Sequence, residues 1–233
     1  MKKEIVEKIL NETEEGYDFM ADKFSQTRKY FWRGLEFIGD YTNDGDNILD
    51  FGCGNGRLLE LFSNKAIVYQ GADVSSKLID LANSRYYSKN IEFLKINTSQ
   101  TSLSFPDNYF NVIYSIAVFH HFPSKEYREK IARELYRITK SEGHIIITVW
   151  NLWQGKYVKN IIKNWKDKLL GRSNLDWNDG YISFKDNQGN IFKRYHHAFI
   201  KKEIKNLFEE AGFKMEKCEN IDGRNLVFIG KKS

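Results

Sequence analysis

The stretch Ile48-Leu49-Asp50-Phe51-Gly52-Cys53-Gly54-Asn55-Gly56-Arg57 constrains this chain more than any other. Asn47 to Phe51 reads as a short buried strand, since an apolar run of that length stops at glycine. The alternate glycines Gly52, Gly54 and Gly56 then make a turn, and a helix is expected to open at Arg57. A residue without Cβ takes a tight turn and lets a ligand come close to the backbone. A turn that opens a helix also presents free backbone N–H groups. The spacing is Asp-x-Gly-x-Gly-x-Gly, not the Gly-x-Gly-x-x-Gly of dinucleotide-binding turns.

From that point strands and helices alternate. Strands are expected over 67–73, 91–96, 110–116 and 144–150. Between them lie a helix capped by Ser75 or Ser76 and a helix capped by Ser124, whose Tyr127, Ile131, Leu135 and Ile138 recur at helical spacing. Gly143 ends that unit. A helix bearing Ile200, Ile204, Leu207 and Phe208 follows, then strands 214–219 and 225–230 joined at Asp222-Gly223, a tight-hairpin dipeptide. Such alternation predicts an α/β fold with a doubly wound, mostly parallel sheet. Residues 1–46 form a helical extension, with one helix over 2–15, a polar and aromatic segment from Tyr17 to Arg28, and a second helix carrying Phe31, Trp32, Leu35 and Ile38. Residues 151–195 break the rhythm and read as an insertion, so that 1–233 is expected to be one domain.

Composition narrows the function classes. Hydrophobic content of 41% and charged content of 29% fit a globular protein. No apolar run approaches the roughly 20 residues of a membrane-spanning helix, and Met1-Lys2-Lys3-Glu4 opens an amphipathic stretch, so a cytoplasmic protein without a membrane partner is expected. Cys53 and Cys218 alone make neither a disulfide framework nor a zinc site, and no metal is expected. A net charge of +5 permits an anionic partner such as RNA.

The glycine turn resembles the first motif of class I S-adenosylmethionine (SAM) methyltransferases. The resemblance implies a seven-stranded Rossmann-like sheet ending in an antiparallel hairpin, with SAM as cofactor. It implies that Asp50 holds the methionine end of SAM, with Gly52, Gly54 and Gly56 beneath the sulfonium. Asp73, followed by Val74, lies about twenty residues beyond the glycines at a strand end, where a carboxylate can accept both hydroxyls of a ribose. Asn97, beside Thr98, stands where the methyltransferase pattern has Asp for the adenine amino group; an Asn oxygen can accept that bond. Ser115 and Ile116, ending the next strand, are expected to line the methionine portion through their backbone.

Three further pieces are Phe24-Ser25-Gln26-Thr27-Arg28, Ser115-Ile116-Ala117-Val118-Phe119-His120-His121-Phe122 and Arg194-Tyr195-His196-His197-Ala198-Phe199. In this order they resemble the tRNA wobble-uridine carboxymethyl methyltransferases, which methylate the carboxylate of 5-carboxymethyluridine. The resemblance implies tRNA as substrate and a small zinc-containing activator protein as a possible partner. A carboxylate acceptor is ionised at neutral pH and needs no base, only cationic or hydrogen-bonding groups to aim one oxygen at the methyl. Arg28, His120, His121, Arg194, Tyr195 and His197 are groups of that kind, and no Asp or Glu falls in these motifs. Arginine suits the task through its planar fork.

The insertion interleaves Lys156, Lys159, Lys163, Lys166, Lys168 and Arg172 with Trp153, Tyr157, Trp165 and Trp177. Cations could meet phosphates there and aromatics could stack on bases; an amphipathic helix with a solvated lysine face explains the same pattern. Two alternatives share the fold: a methyltransferase of a small carboxylic acid or other metabolite, and a catalytically silent SAM-binding module. An NAD dehydrogenase is disfavoured by the glycine spacing.

Overall fold

The computed structural model describes residues 1–233 except Asn187 and, among side chains, Lys156, one of the basic positions of the insertion. The first four strands fall where the apolar runs predict, β1 (Asn47–Phe51), β2 (Val68–Asp73), β3 (Ile91–Lys95) and β4 (Phe110–Ile116), and β5 (Thr139–Trp150) contains the expected fifth. After the insertion, β8 (Phe213–Ile221) and β9 (Asn225–Lys232) complete seven strands in the order β3-β2-β1-β4-β5-β9-β8. All neighbours from β3 to β5 are parallel, and β9 runs antiparallel between β5 and β8.

Side-chain alternation divides the sheet between two cores. On one face Leu49, Phe51, Ile113, Ile145 and Ile147 meet helices α3 (Lys125–Ile138) and α5 (Lys201–Glu210). On the other Ile48, Tyr69, Val112, Tyr114 and Ile146 meet α2 (Ser76–Arg85) and two 3-10 segments, Glu36–Tyr41 and Arg57–Phe62. Both faces are covered, which is why β4 and β5 are almost continuously apolar. The chain reverses direction about β1 and β4, and the crevice at their carboxyl ends is where this topology places ligands.

Several boundaries differ from the sequence reading. Residues 3–27 form one helix, α1 (Lys3–Thr27), and the expected second helix is only the 3-10 segment Glu36–Tyr41. Gly16 does not break α1; a Cβ there would lie 1.9 Å from the Phe192 ring, so the glycine admits a close contact at some cost in helix propensity. Arg57 opens a 3-10 segment rather than an α-helix. Strand β5 starts at Thr139, so Gly143 lies inside it, where a Cβ would meet the Asn111 carbonyl at 2.8 Å.

The insertion is a helix, α4 (Gly155–Leu169), and an antiparallel hairpin of β6 (Asp179–Lys185) and β7 (Ile191–His197). Arg194, Tyr195 and His197 all lie on this hairpin, which runs two residues past the expected end of the insertion at 195. Helix α1 bridges this hairpin to the sheet. Gly16 packs on Phe192 and Lys23 Nζ reaches the Asp186 carbonyl at 3.1 Å. Glu14 pairs with Lys95 at 2.7 Å, and Asp18 Oδ1 accepts from Ser75 Oγ at 2.6 Å and from Lys77 N at 3.1 Å. No described helix is long and apolar enough to cross a membrane.

Candidate functional site

A cleft of about 940 Å³, counting its open mouth, lies at the carboxyl ends of β1, β2 and β4 beneath α1. One wall comes from the glycine turn. Gly52 and Gly54 line it with φ of +82° and +56°, a region side-chain-bearing residues rarely adopt. A Cβ on Gly52 would come within 2.3 Å of Val118, so the turn and the segment after β4 close on each other only through glycine. That segment has a strained residue of its own: Ala117 sits at φ +60°, its N–H donating to the Thr148 carbonyl at 2.9 Å.

Asp73 lines the cleft at the end of β2. Its Oδ2 accepts from Gly54 N and its Oδ1 from Ser75 N, each at 2.8 Å. Burial raises its pKa, and the N–H groups of Ser75, Gly54 and Val74 oppose that rise. Each carboxylate oxygen keeps lone-pair capacity for a hydroxyl, as a ribose requires. Val74, Thr98 and Ile116 line the same space.

Of the other expected cofactor residues, Asp50, Gly56 and Ser115 lie behind the cleft wall. Asp50 is buried behind the turn, accepts from Tyr69 Oη at 2.6 Å, and does not line the cleft. Burial pushes its pKa up to about 7. Gly56 also stays behind, where a Cβ would meet Phe93 at 2.9 Å, and Ser115 is wholly buried in β4. Asn97 lines the cleft, but its Oδ1 accepts from Ser99 N at 3.0 Å and Ser99 Oγ at 2.9 Å. Those bonds occupy the oxygen proposed for adenine.

The opposite wall is cationic and aromatic. Arg194 on β7 is 3% exposed and lines the cleft. Its guanidinium carbon lies 5.6, 5.8 and 5.2 Å from the ring centroids of Tyr17, Trp150 and Phe184. Its Nη1 donates to Tyr17 Oη at 3.1 Å, its Nε has no hydrogen-bond partner, and no carboxylate pairs with it among the described residues. Arg28, at the end of α1, lies over Phe24 at 4.4 Å, and burial followed by the Arg194 charge holds its pKa down against the opposing effect of Tyr17. Arg57 stacks on Trp32 at 3.8 Å, its pKa pushed down to about 10 by burial first and by Arg28 second.

His121 lines the cleft between these groups. Its Nδ1 faces the Tyr195 carbonyl at 3.0 Å and its Nε2 faces Tyr17 Oη at 2.7 Å. A carbonyl only accepts, so Nδ1 carries the proton and Nε2 accepts from Tyr17. Burial and then the Arg194 charge push the His121 pKa down to about 3, and the Tyr195 carbonyl only partly opposes them. The imidazole is neutral at physiological pH and a very weak base.

His120 lies one layer behind, wholly buried and stacked between Trp150 and His196 at 5.3 and 5.2 Å. One ring nitrogen from each of His120, His121 and His196 lies within 4.8 Å of the others. Burial is the main cause that lowers the pKa of all three; neighbouring histidines come next for His120 and His196, and the Arg194 charge adds to each. Tyr195 is buried and contributes only its carbonyl to this wall. His197 does not reach the cleft: Nδ1 pairs with Asp179 at 2.7 Å and Nε2 with Glu203 at 2.8 Å, tying β7 to β6 and α5.

Sequence patterns alone do not assign Tyr17, Trp32, Arg57 or Trp150 to the site. For Tyr17 a signal existed: Leu10, Thr13, Tyr17, Phe24 and Arg28 all line the cleft and recur at helical spacing along α1. Of the insertion's aromatics, Trp153, Tyr157 and Trp165 pack inward, while Trp177 stays half-exposed. Trp153 Nε1 donates to the Ala198 carbonyl at 3.1 Å, Trp165 Nε1 to the Trp177 carbonyl at 2.6 Å, and Tyr157 packs 6.4 Å from Trp150. Lys168 also points home, to the Leu175 carbonyl at 2.7 Å. The amphipathic-helix reading describes α4.

A family model described as a methyltransferase domain matches residues 24–217. A tRNA (carboxymethyluridine(34)-5-O)-methyltransferase of Arabidopsis thaliana is 34% identical over 58% of this chain and 31% of its own length. The chain thus spans about a third of that relative. A protein of the same name from Schizosaccharomyces pombe is 28% identical over 84% of this chain and 86% of its own. Among solved structures, a chain of the Haloferax volcanii complex between the Trm112 methyltransferase activator and a methyltransferase superposes with a TM-score of 0.68. It is 16% identical and covers 94% of this chain and 96% of its own, a likeness of fold.

Proposed function

The chain belongs to the methyltransferase domain family, and we propose that it methylates the carboxylate of a modified wobble uridine in tRNA, with SAM as donor. The observation that carries this reading is Arg194. A guanidinium this buried, without a carboxylate, is costly unless a ligand supplies the counter-charge. Its planar fork matches a carboxylate, and Arg28 adds a second cation beside it.

The residues divide the work. Asp73 would accept the ribose hydroxyls, while Gly52 and Gly54 let the donor lie against the turn. Bound SAM supplies an electrophilic methyl on a sulfonium. Arg194 and Arg28 hold the acceptor carboxylate, already ionised, with one oxygen in line. Tyr17 fixes the Arg194 fork by accepting from Nη1 and donating to His121. His121 excludes water and holds Tyr17, because an imidazole with a pKa near 3 takes no proton in this pH range. His120 and His197 support the wall from behind.

Residues 1–233 act as one catalytic unit on this reading, since α1 and the inserted hairpin both supply cleft residues. A small activator protein is proposed as partner on the resemblance to the carboxymethyl methyltransferases. The test is incubation of labelled SAM with total tRNA, then digestion and nucleoside analysis. Label in the methyl ester of 5-carboxymethyluridine is expected; label in no nucleoside, or only on a base ring atom, overturns the reading.

A further inference from the structure

On the insertion Trp153 and Trp165 are engaged in internal hydrogen bonds, and a second basic and aromatic face lies elsewhere, beside the cleft. The segment Arg28-Lys29-Tyr30-Phe31-Trp32-Arg33 holds three cations, three aromatics and no acid. It has no regular secondary structure, but its backbone is pinned. Asn55 Nδ2 donates to the Arg28 carbonyl at 3.2 Å and Arg85 Nη2 to the Lys29 carbonyl at 2.9 Å, while Phe31 N donates to Glu60 Oε2 at 3.0 Å. Arg85 itself is held by Glu60 at 2.6 Å. Trp32 turns in, under Arg57 at the cleft. Tyr30 turns out: it is 78% exposed and lines a shallow surface pocket with Lys29 and Arg85.

A large aromatic held outward on a fixed backbone gives the fold little. It offers an unpaired base a stacking face whose conformational cost has already been met. Tyr30 is two residues from Arg28, at most about 7 Å of extended chain. Arg28 lines the acceptor side of the cleft. The geometry points to Tyr30, with Lys29, Arg33 and Arg85, as a docking surface for single-stranded RNA: Tyr30 stacks a base neighbouring the methylated nucleotide, and the cations contact its phosphates. Charge complementarity selects the partner, because the segment itself carries no acid to repel a polyanion. This inference rests on the proposed RNA substrate and adds the surface that receives the flanking nucleotides.

The experiment measures affinity for a synthetic anticodon stem-loop carrying 5-carboxymethyluridine at the wobble position, over a range of salt. Wild type, Tyr30→Ala, Tyr30→Phe and Lys29→Gln/Arg33→Gln are compared, with SAM affinity and melting temperature as controls on folding. Tyr30→Ala should bind about tenfold more weakly, the typical loss of one stacked base, while Tyr30→Phe keeps wild-type affinity. Lys29→Gln/Arg33→Gln should flatten the salt slope by about 1.4, near 0.7 for each single-strand phosphate that a cation no longer neutralises. Folded variants that bind the stem-loop with wild-type affinity and slope overturn the docking surface and leave the methylation reading intact. Such a result would also be the outcome if this face served a protein partner. A wild-type protein that neither binds nor methylates the stem-loop overturns the methylation reading itself.

Discussion

The two walls of the cleft are built by opposite strategies. The donor wall is backbone: Gly52 and Gly54 without side chains, and Asp73 held by the N–H groups of Gly54 and Ser75, all within adjacent parallel strands and their turns. The acceptor wall is side chain, and it is assembled from distant places: Tyr17 from α1, Arg28 from the residue just past its end, His121 from the turn after β4, Trp150 from the end of β5, and Arg194 from the inserted hairpin. The donor wall neutralises its charge internally, through N–H donors. The acceptor wall leaves Arg194 uncompensated. A wall complete in itself suits a ligand used in every turnover, and a wall that lacks a charge selects for the ligand that brings one.

The largest expected effect strikes the incomplete wall. Arg194→Ala should lower kcat by about 10²- to 10³-fold, the scale of losing a buried charge pair at about 2–5 kcal/mol, with SAM affinity nearly unchanged. Arg194→Lys should not restore it, because the fork geometry is lost. Calorimetry of SAM binding alongside steady-state kinetics checks both; a parallel loss of SAM affinity would erase the distinction between the walls. Next, Asp73→Ala should weaken SAM binding about tenfold or more, since a hydrogen bond to a charged group contributes about 1.5–3 kcal/mol. Unchanged SAM affinity in a folded variant would remove Asp73 from the donor wall.

Tyr17→Phe probes the link inside the acceptor wall. Tyr17 Oη joins Arg194 to His121, so losing it should cost about fivefold in kcat, near 1 kcal/mol. If Tyr17 only positions the arginine, the loss should be independent of pH; a loss that varies between pH 6 and 9 would make the phenol a proton carrier.

Asp50, behind the donor wall, affects stability and leaves the chemistry of the cleft alone. Its folded pKa of about 7 lies above the ordinary value near 4, so between those limits the unfolded chain releases a proton that the folded protein keeps. Stability should fall as pH rises from about 4 to 7 and level off beyond. Asp50→Asn should flatten the wild-type slope in that window in denaturant titrations. An equal slope in both proteins would show that Asp50 is ionised in the fold.

The same contrast explains what the sequence made legible. Local patterns decide the donor wall: the glycine spacing, the apolar runs of β1 and β4, and an acid at the end of β2 are each read within a few residues. The hairpin Asp222-Gly223, where β8 turns into β9, was legible for the same reason. The acceptor wall depends on pairings far apart in sequence. Arg194 meets Tyr17 across 177 residues, and His121 meets Tyr17 across 104. Of the residues that chemical type singled out, Arg28, Arg194 and His121 line the cleft, but type alone could not separate His121 from His120 or His197. Those three differ only in what surrounds them: Asp179 and Glu203 capture His197, and Trp150 and His196 enclose His120. Helix α1 runs on through Thr27, past the expected end at 15, because the polar and aromatic residues from Tyr17 onward are held by contacts with the cleft and the inserted hairpin, which no local pattern shows.

On the proposed reading, the methyl acceptor is an ionised carboxylate, aimed by arginine and needing no base. Single-turnover methylation of two anticodon stem-loops probes this without intermediaries, one carrying 5-carboxymethyluridine at the wobble position and one carrying the corresponding neutral amide. Transfer to the acid should proceed at a rate flat from about pH 6 to 9, above the carboxylate titration, with no transfer to the amide. Equal rates for the acid and the amide, or a rate that follows the titration of a single histidine, would contradict a carboxylate acceptor.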